Sequence, residues 1–144
     1  MMLHIGCGKQ KHDGFVNTDK EEMDISKPWP YEDESVDGII SMQVFQQLTW
    51  RELVVALKES YRVLKKDGVM RFGTVLLDSG KSLEFLLGWK NIILLNYSLL
   101  RDVLINHIGY KSIKLCEYRE TSVPEFKKVD NRHNRGSSYV EVVK

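Results

Sequence analysis

Three short apolar runs separated by polar turns open the chain: Leu3–Ile5, Phe15–Thr18 and Val36–Met42. Each has the length of a strand and is flanked by Gly, Asp or Ser. Beyond Thr49 the period changes. Leu53, Ala56, Leu57, Tyr61 and Leu64 recur at helical spacing, Thr49 stands as the N-cap, and Glu52 completes a capping box. Lys65 and Lys66 suit the end of that helix, and Gly68 suits a left-handed turn closing it. Val69–Leu76 predicts a central strand. Ser82–Trp89 predicts a short helix, and Ser98 caps a clearer one running through Leu99, Val103, Leu104 and Ile108 to Gly109. Strands over Ser112–Arg119 and Ser138–Val143 close the pattern, joined by a polar loop ending in residues 130–136. Strands alternating with helices, then a terminal strand pair, predict an α/β open sheet.

One connection breaks the rule. Residues 9–14 are all that separate the Gly6-Cys7-Gly8 turn from the second apolar run, where a parallel crossover usually takes a dozen or more residues and a helix. The first helix is therefore predicted to be missing or reduced to a turn. That disfavours a dinucleotide pyrophosphate, which depends on a helix N-terminus at this place. The strand-to-Gly-x-Gly turn can still offer backbone N–H groups to a ligand, and Asp19 can accept hydrogen bonds from ribose hydroxyls.

Composition narrows the class. The 144 residues show no repeat and no Pro/Gly-rich linker, so a single domain over residues 1–144 is expected. No basic leader followed by an apolar stretch precedes the first strand, and no apolar run has membrane-spanning length. Cys7 and Cys116 stand far apart without a CxxC or His/Cys cluster, which predicts no disulfide, no metal site and a reducing cytoplasm. Residues 1–60 carry six Lys/Arg against eleven Asp/Glu (−5), and residues 61–144 carry fifteen against nine (+6). Such asymmetry can mark an anionic partner. Charges that mix on solvated faces after folding are the simpler reading, so a nucleic-acid partner is disfavoured.

Five segments in register resemble class I S-adenosylmethionine-dependent methyltransferases, more narrowly their small type 11-like members. They are Leu3-His4-Ile5-Gly6-Cys7-Gly8, the Gly14–Asp19 run, the Pro28–Asp37 run, Tyr61-Arg62-Val63-Leu64-Lys65-Lys66-Asp67-Gly68, and Ser138-Tyr139-Val140-Glu141. The resemblance implies a trimmed Rossmann-like fold, a mostly parallel sheet with an antiparallel C-terminal strand, and S-adenosyl-L-methionine as cofactor. It implies that Gly6, Cys7 and Gly8 line the amino-acid end of the cofactor and that Asp19 binds the ribose. Asp24 with the backbone of Ile25 would read the adenine amino edge. Ser41, Met42 and Gln43 would lie beneath the sulfonium, with Gln46 a further contact. The acceptor implied is an unidentified small molecule.

Departures from the pattern matter. Val44-Phe45-Gln46-Gln47-Leu48 stands where the family commonly has Val-Leu-Glu-His-Leu, so two amides replace an ionisable pair. Lys66-Asp67-Gly68 replaces Pro-Gly-Gly, and no Asn/Asp-Pro-Pro-Tyr segment is present. Methyl transfer from a sulfonium needs alignment and desolvation more than an acid or base, so no catalytic residue is assigned. The alternative is a degenerate cofactor-binding or scaffold domain acting through a protein partner.

Structural roles compete with functional ones at several positions. His4, His107 and His133 are read as structural or solvent-exposed, Cys7 as a small residue fitting between glycines, and Trp29 and Tyr31 as packing against the sheet. Asp37 is read as a turn cap at the start of its strand, and Arg62 as a helix-end partner for a carboxylate. The apolar stretch 83–95 has three readings: a wall of an acceptor pocket, a cover over the side left by the missing helix, or a homodimer contact.

Overall fold

A computed structural model describes residues 1–78, 93, 95–129 and 137–144. The first apolar run becomes β1 (Met2–Ile5) and pairs in parallel with β2 (Val16–Thr18) on one side and β3 (Val36–Met42) on the other. β4 (Leu64–Thr74) extends the parallel sheet beyond β3. β6 (Ser138–Val143) then inserts antiparallel between β4 and the edge strand β5 (Ser112–Cys116). The order is β2-β1-β3-β4-β6-β5, the open α/β sheet that the alternating pattern predicts.

Both faces of the sheet are covered, by different means. On one face Leu3, Ile5, Ile39, Met70 and Phe72 meet helix α1 (Trp50–Val63) through Leu53, Ala56 and Leu57, and helix α2 (Tyr97–Asp102) through Leu100. On the other face Ile40 meets Phe126 and Val129, with Phe15 and Met42 packed around them. Phe126 and Val129 belong to a one-turn helix, α3 (Phe126–Val129), inside the stretch expected to be a polar loop. Their spacing of three puts both side chains on one helical face, which buries them.

The short first crossover contains turns and no helix over residues 6–15, as its length predicts. The Asn17 side chain takes the place of a helix in satisfying its backbone. Its Oδ1 accepts from His12 N at 3.0 Å, and its Nδ2 donates to His12 O at 2.9 Å and Phe15 O at 3.0 Å. Buried His4 adds a contact from Nδ1 to the same Oδ1 at 3.1 Å.

Helix α1 begins as predicted, with Glu52 N donating to Thr49 Oγ1 and Thr49 N donating to Glu52 Oε2. Its end differs. The helix stops at Val63 and β4 starts at once, while Asp67 rather than Gly68 takes the left-handed conformation, with φ 63°. The register shift between Val36 and Gly38 on β3 lets Lys65–Asp67 bulge outward, where Lys65 meets Asp37 at 2.7 Å and Lys111 meets Asp67. The Lys144 ammonium closes the helix by donating to Leu64 O at 2.7 Å and Arg62 O at 3.4 Å.

Two further boundaries are corrected. Asn96, not Ser98, caps α2, accepting from Leu99 N at 2.7 Å. The helix widens into π-type turns over Val103–Ile108 and stops at Gly109, whose φ of 110° suits glycine. β5 ends at Cys116, short of Arg119, because fully buried Arg71 draws the carbonyls of Glu117 and Glu120 onto its guanidinium at 3.1 and 2.7 Å. The helix predicted over Ser82–Trp89, His133 and most of the 83–95 stretch lie outside the described residues. Ile93 and Leu95, at its end, are buried in the main core.

Candidate functional site

At the C-terminal ends of β1 and β3 the chain leaves the sheet in opposite directions, and a cleft of about 570 Å³ opens between the two exits. Ligands of open α/β sheets bind at such a place. From the β1 exit comes Gly6, at φ 66°; a Cβ there would lie 2.2 Å from Val44 Cγ2. Gly6 is thus required twice, by its backbone conformation and by the close passage of Val44. From the β3 exit come Met42, Gln43, Val44 and Leu48. Thr49 and Glu52, at the N-terminus of α1, complete that wall.

The opposite wall is the turn after β2. Asp19 O accepts from Glu22 N at 3.0 Å and Met23 N at 2.8 Å, which curls residues 19–23 around the cleft. Asp19 Oδ1 accepts from Lys20 N at 2.9 Å. Asp24 follows, its Oδ1 accepting from Ser26 N at 3.1 Å and Ser26 Oγ at 2.6 Å, with Lys27 at 3.3 Å from Oδ2. Ile25 is buried, and its carbonyl accepts from Trp29 Nε1 at 3.2 Å.

Arg62 fastens this wall to α1. Its guanidinium donates to the carbonyls of Trp29 and Tyr31 and pairs with Glu59 at 2.8 Å and Asp33 at 2.6 Å. The roles read for Arg62 and Trp29 therefore hold. Trp29 is 4% exposed and packs in the core, and it does not line the cleft. Asp37 lies at the start of β3, where Lys65 and the N-terminal ammonium hold it.

Of the ten residues expected at a cofactor, Gly6, Asp19, Asp24, Ile25, Met42 and Gln43 line this one cleft. The other four do not line it. Cys7 is buried, its N donating to Thr18 O at 3.1 Å. Burial, followed by the charges of Asp19 and Glu22, pushes its thiol pKa up, so it is not an activated nucleophile. Gly8 is exposed beyond the turn. Ser41 is buried within the sheet, opposite Ile5 and Phe72. Gln46 is 2% exposed and sits behind Gln43.

Sequence reading missed Met23, Val44, Leu48, Thr49 and Glu52 as lining residues. The capping box was legible, but nothing along the chain says that the helix N-terminus opens on the cleft. That placement sets the electrostatics. Glu52 already accepts from Thr49 N at 2.7 Å and Thr49 Oγ1 at 2.8 Å, and these contacts hold its carboxyl below the usual range. The positive end of the helix is thereby answered from within. Asp24 is also held low, by the Ser26 hydroxyl and amide. Three carboxylates (Asp19, Asp24, Glu52) and one ammonium (Lys20) line the cleft, a balance that favours a cationic ligand over a phosphate.

Residues 6–72 match the model of a methyltransferase domain family. A comparison with curated proteins found no match. Among solved structures, an S-adenosylmethionine-dependent methyltransferase from Archaeoglobus fulgidus superposes with a TM-score of 0.67 at 15% identity, covering 99% of this chain and 85% of its own. A chain of the Haloferax volcanii complex with the Trm112 methyltransferase activator gives 0.66 at 14%, covering 99% and 80%. A phosphoethanolamine N-methyltransferase from Haemonchus contortus, bound to phosphomonomethylethanolamine and S-adenosylhomocysteine, gives 0.64 at 13%, covering 99% and 48%. The matched segment runs from the glycine turn into β4 and includes every residue of the cleft except Ile5, and over nearly its whole length the chain shares the fold of S-adenosylmethionine-dependent methyltransferases.

Proposed function

We propose that the cleft between Gly6 and Gln43 binds S-adenosyl-L-methionine and that the protein transfers its methyl group by direct displacement to a small-molecule acceptor. The observation that carries this reading is the lining: a glycine turn, a carboxylate after β2, a second carboxylate beyond it, and no free helix end for a phosphate. A volume of about 570 Å³ falls in the range of small-ligand sites. The bound cofactor supplies an electrophilic methyl group on a sulfonium, and the chain supplies alignment and exclusion of water.

In this reading Asp19 accepts hydrogen bonds from the ribose hydroxyls, and Asp24 with the backbone of Ile25 faces the adenine amino edge. The Gly6 turn holds the amino-acid end, and Met42 and Gln43 lie beneath the sulfonium. Cys7, Gly8 and Ser41 support the turn and the strand end without touching ligand. The carboxylates favour the cation and leave the neutral product, S-adenosylhomocysteine, less tightly held. The same charge opposes a nucleic-acid acceptor. We place the protein in the cytoplasm as one domain over residues 1–144; its two cysteines are free, and no helix among the described residues is long and apolar enough to cross a membrane.

Calorimetric titration with S-adenosylmethionine and S-adenosylhomocysteine tests the reading. Binding of both below millimolar concentration is expected, with a more than tenfold loss in Gly6→Ala, whose new Cβ collides with Val44. Failure of the native protein to bind either ligand overturns it. A second reading, a cofactor-binding scaffold working through a protein partner, is favoured by one observation. The titratable side chains lining the cleft, Asp19, Lys20, Asp24 and Glu52, belong to the turn after β2 and the start of α1, and the inner wall at Gln43 carries an amide. Binding without methyl transfer to any small-molecule fraction of a cell extract would select that reading.

A further inference from the structure

Gln43 holds an uncommon conformation for a residue with a side chain, at φ 62°. It stays there because its N donates to Gly73 O at 2.8 Å and its carbonyl accepts from Gln47 Nε2. Its side-chain amide is committed at both ends. Nε2 donates to Ser137 Oγ at 2.6 Å, and Oε1 accepts from Gln46 Nε2. Gln46 Oε1 in turn accepts from Thr74 Oγ1 at 3.2 Å. Donors therefore point one way along a row from Thr74 through Gln46 and Gln43 to Ser137, an arrangement in which each bond polarises the next.

Gln43 alone of these four lines the cleft. Thr74, Gln46 and Ser137 are exposed by 0%, 2% and 2%. A buried amide with one end unpaired is costly, so the row fixes which atom of Gln43 faces which neighbour, and with it the shape and polarity of the inner wall.

We propose that Gln46 is a positioning residue for methyl transfer, acting on bound cofactor through the amide of Gln43 and not by touching ligand. This rests on the cofactor reading above. The two departures from the family pattern then have different meanings. Gln47 braces the Gln43 carbonyl, whereas Gln46 supplies a neutral donor that a carboxylate at the same place could not supply.

The test uses S-adenosylhomocysteine binding by calorimetry between pH 5 and 8. Gln46→Leu keeps the bulk and removes the donor; affinity is expected to fall about fivefold, the worth of one hydrogen bond. Gln46→Glu keeps the acceptor for Thr74 but puts a carboxylate against Gln43 Oε1. It is expected to bind poorly at pH 8 and to recover as pH falls, since burial raises the substituted carboxyl's pKa and the protonated form donates again. Recovery within one sample excludes misfolding as the cause. Both variants binding within twofold of native at every pH would overturn the proposal. Should native protein bind no S-adenosylhomocysteine, the cofactor reading fails instead. The ligand-free readout then decides whether Gln46 orders the Gln43 amide: loss of hydrogen-exchange protection at that side-chain amide in Gln46→Leu supports it, and unchanged protection refutes it.

Discussion

The two crossovers that flank the cleft solve the same problem with different physics. Between β3 and β4 the chain runs through residues 43–63 and forms α1, which buries Leu53, Ala56 and Leu57 against the sheet. Between β1 and β2 it has only residues 6–15, too few for a helix. There one half-buried polar side chain, Asn17, satisfies the backbone of the turn. The β3–β4 crossover is held by apolar area and the β1–β2 crossover by a few directed hydrogen bonds. A region of the first kind is stable wherever area can be buried, while one of the second kind depends on a single residue. The cleft lies between them, with Gly6 from the bonded crossover meeting Val44 from the packed one.

Four measurements would break or sharpen that contrast. The largest effect belongs to the packed crossover: Leu57→Ala, at a fully buried position, should cost about 3 kcal/mol in urea unfolding and leave the slope unchanged. Asn17→Leu comes next. Stranding the His12 and Phe15 backbone groups should cost about 2 kcal/mol, and amide exchange should quicken at His12 well before it does in α1. An equal loss of protection throughout would mean that the two crossovers are not independent.

Removal of the helix cap in Thr49→Ala should cost about 1 kcal/mol by thermal or urea unfolding. It should also remove the hydroxyl contact to Glu52 while leaving the backbone one, so that the carboxyl titrates only part of the way back toward its ordinary value by NMR. The smallest effect concerns pH. Lys65, then the N-terminal ammonium, lower the Asp37 pKa from 3.8 to about 2. A carboxyl lowered on folding contributes stability above its unfolded pKa and loses it as pH falls through the folded value. The Asp37 share is thus expected to fade between about pH 4 and pH 2. In Lys65→Met the titration should move upward; an unmoved Asp37 would show that the pair contributes nothing at this exposed site.

The site was partly legible along the chain. Gly6 and Asp19 stand out because each residue type answers a local demand, a left-handed turn and a strand end, whereas Asp24 is implied only by the resemblance. The capping box at Thr49 was legible for the same reason. The resemblance implies a ligand contact at Gln46, but its side chain faces inward onto Thr74. Whether a side chain near a strand end looks into the cleft or behind it depends on the path of the backbone, and the left-handed turn at Gln43 sets that path. Ser98 and Asn96 present a similar case. Both can cap a helix, and the hydrogen bonds tying Tyr97 N to Asp78 and Leu77 N to Leu95 O selected the earlier start.

By itself, the amino-acid order determined the alternation of strands with helices, helix α1, the lack of a first helix and the glycine turn. All of these follow from local period, capping and chain length, which act over a few residues. Only the tertiary structure decided that Asn17 would brace the crossover and that Arg71 would end β5. It alone turned Glu52 and its helix toward the cleft and lined up Thr74, Gln46, Gln43 and Ser137 behind it. Those contacts join residues as much as 94 positions apart, and their energy comes from the burial of polar groups that no local pattern records.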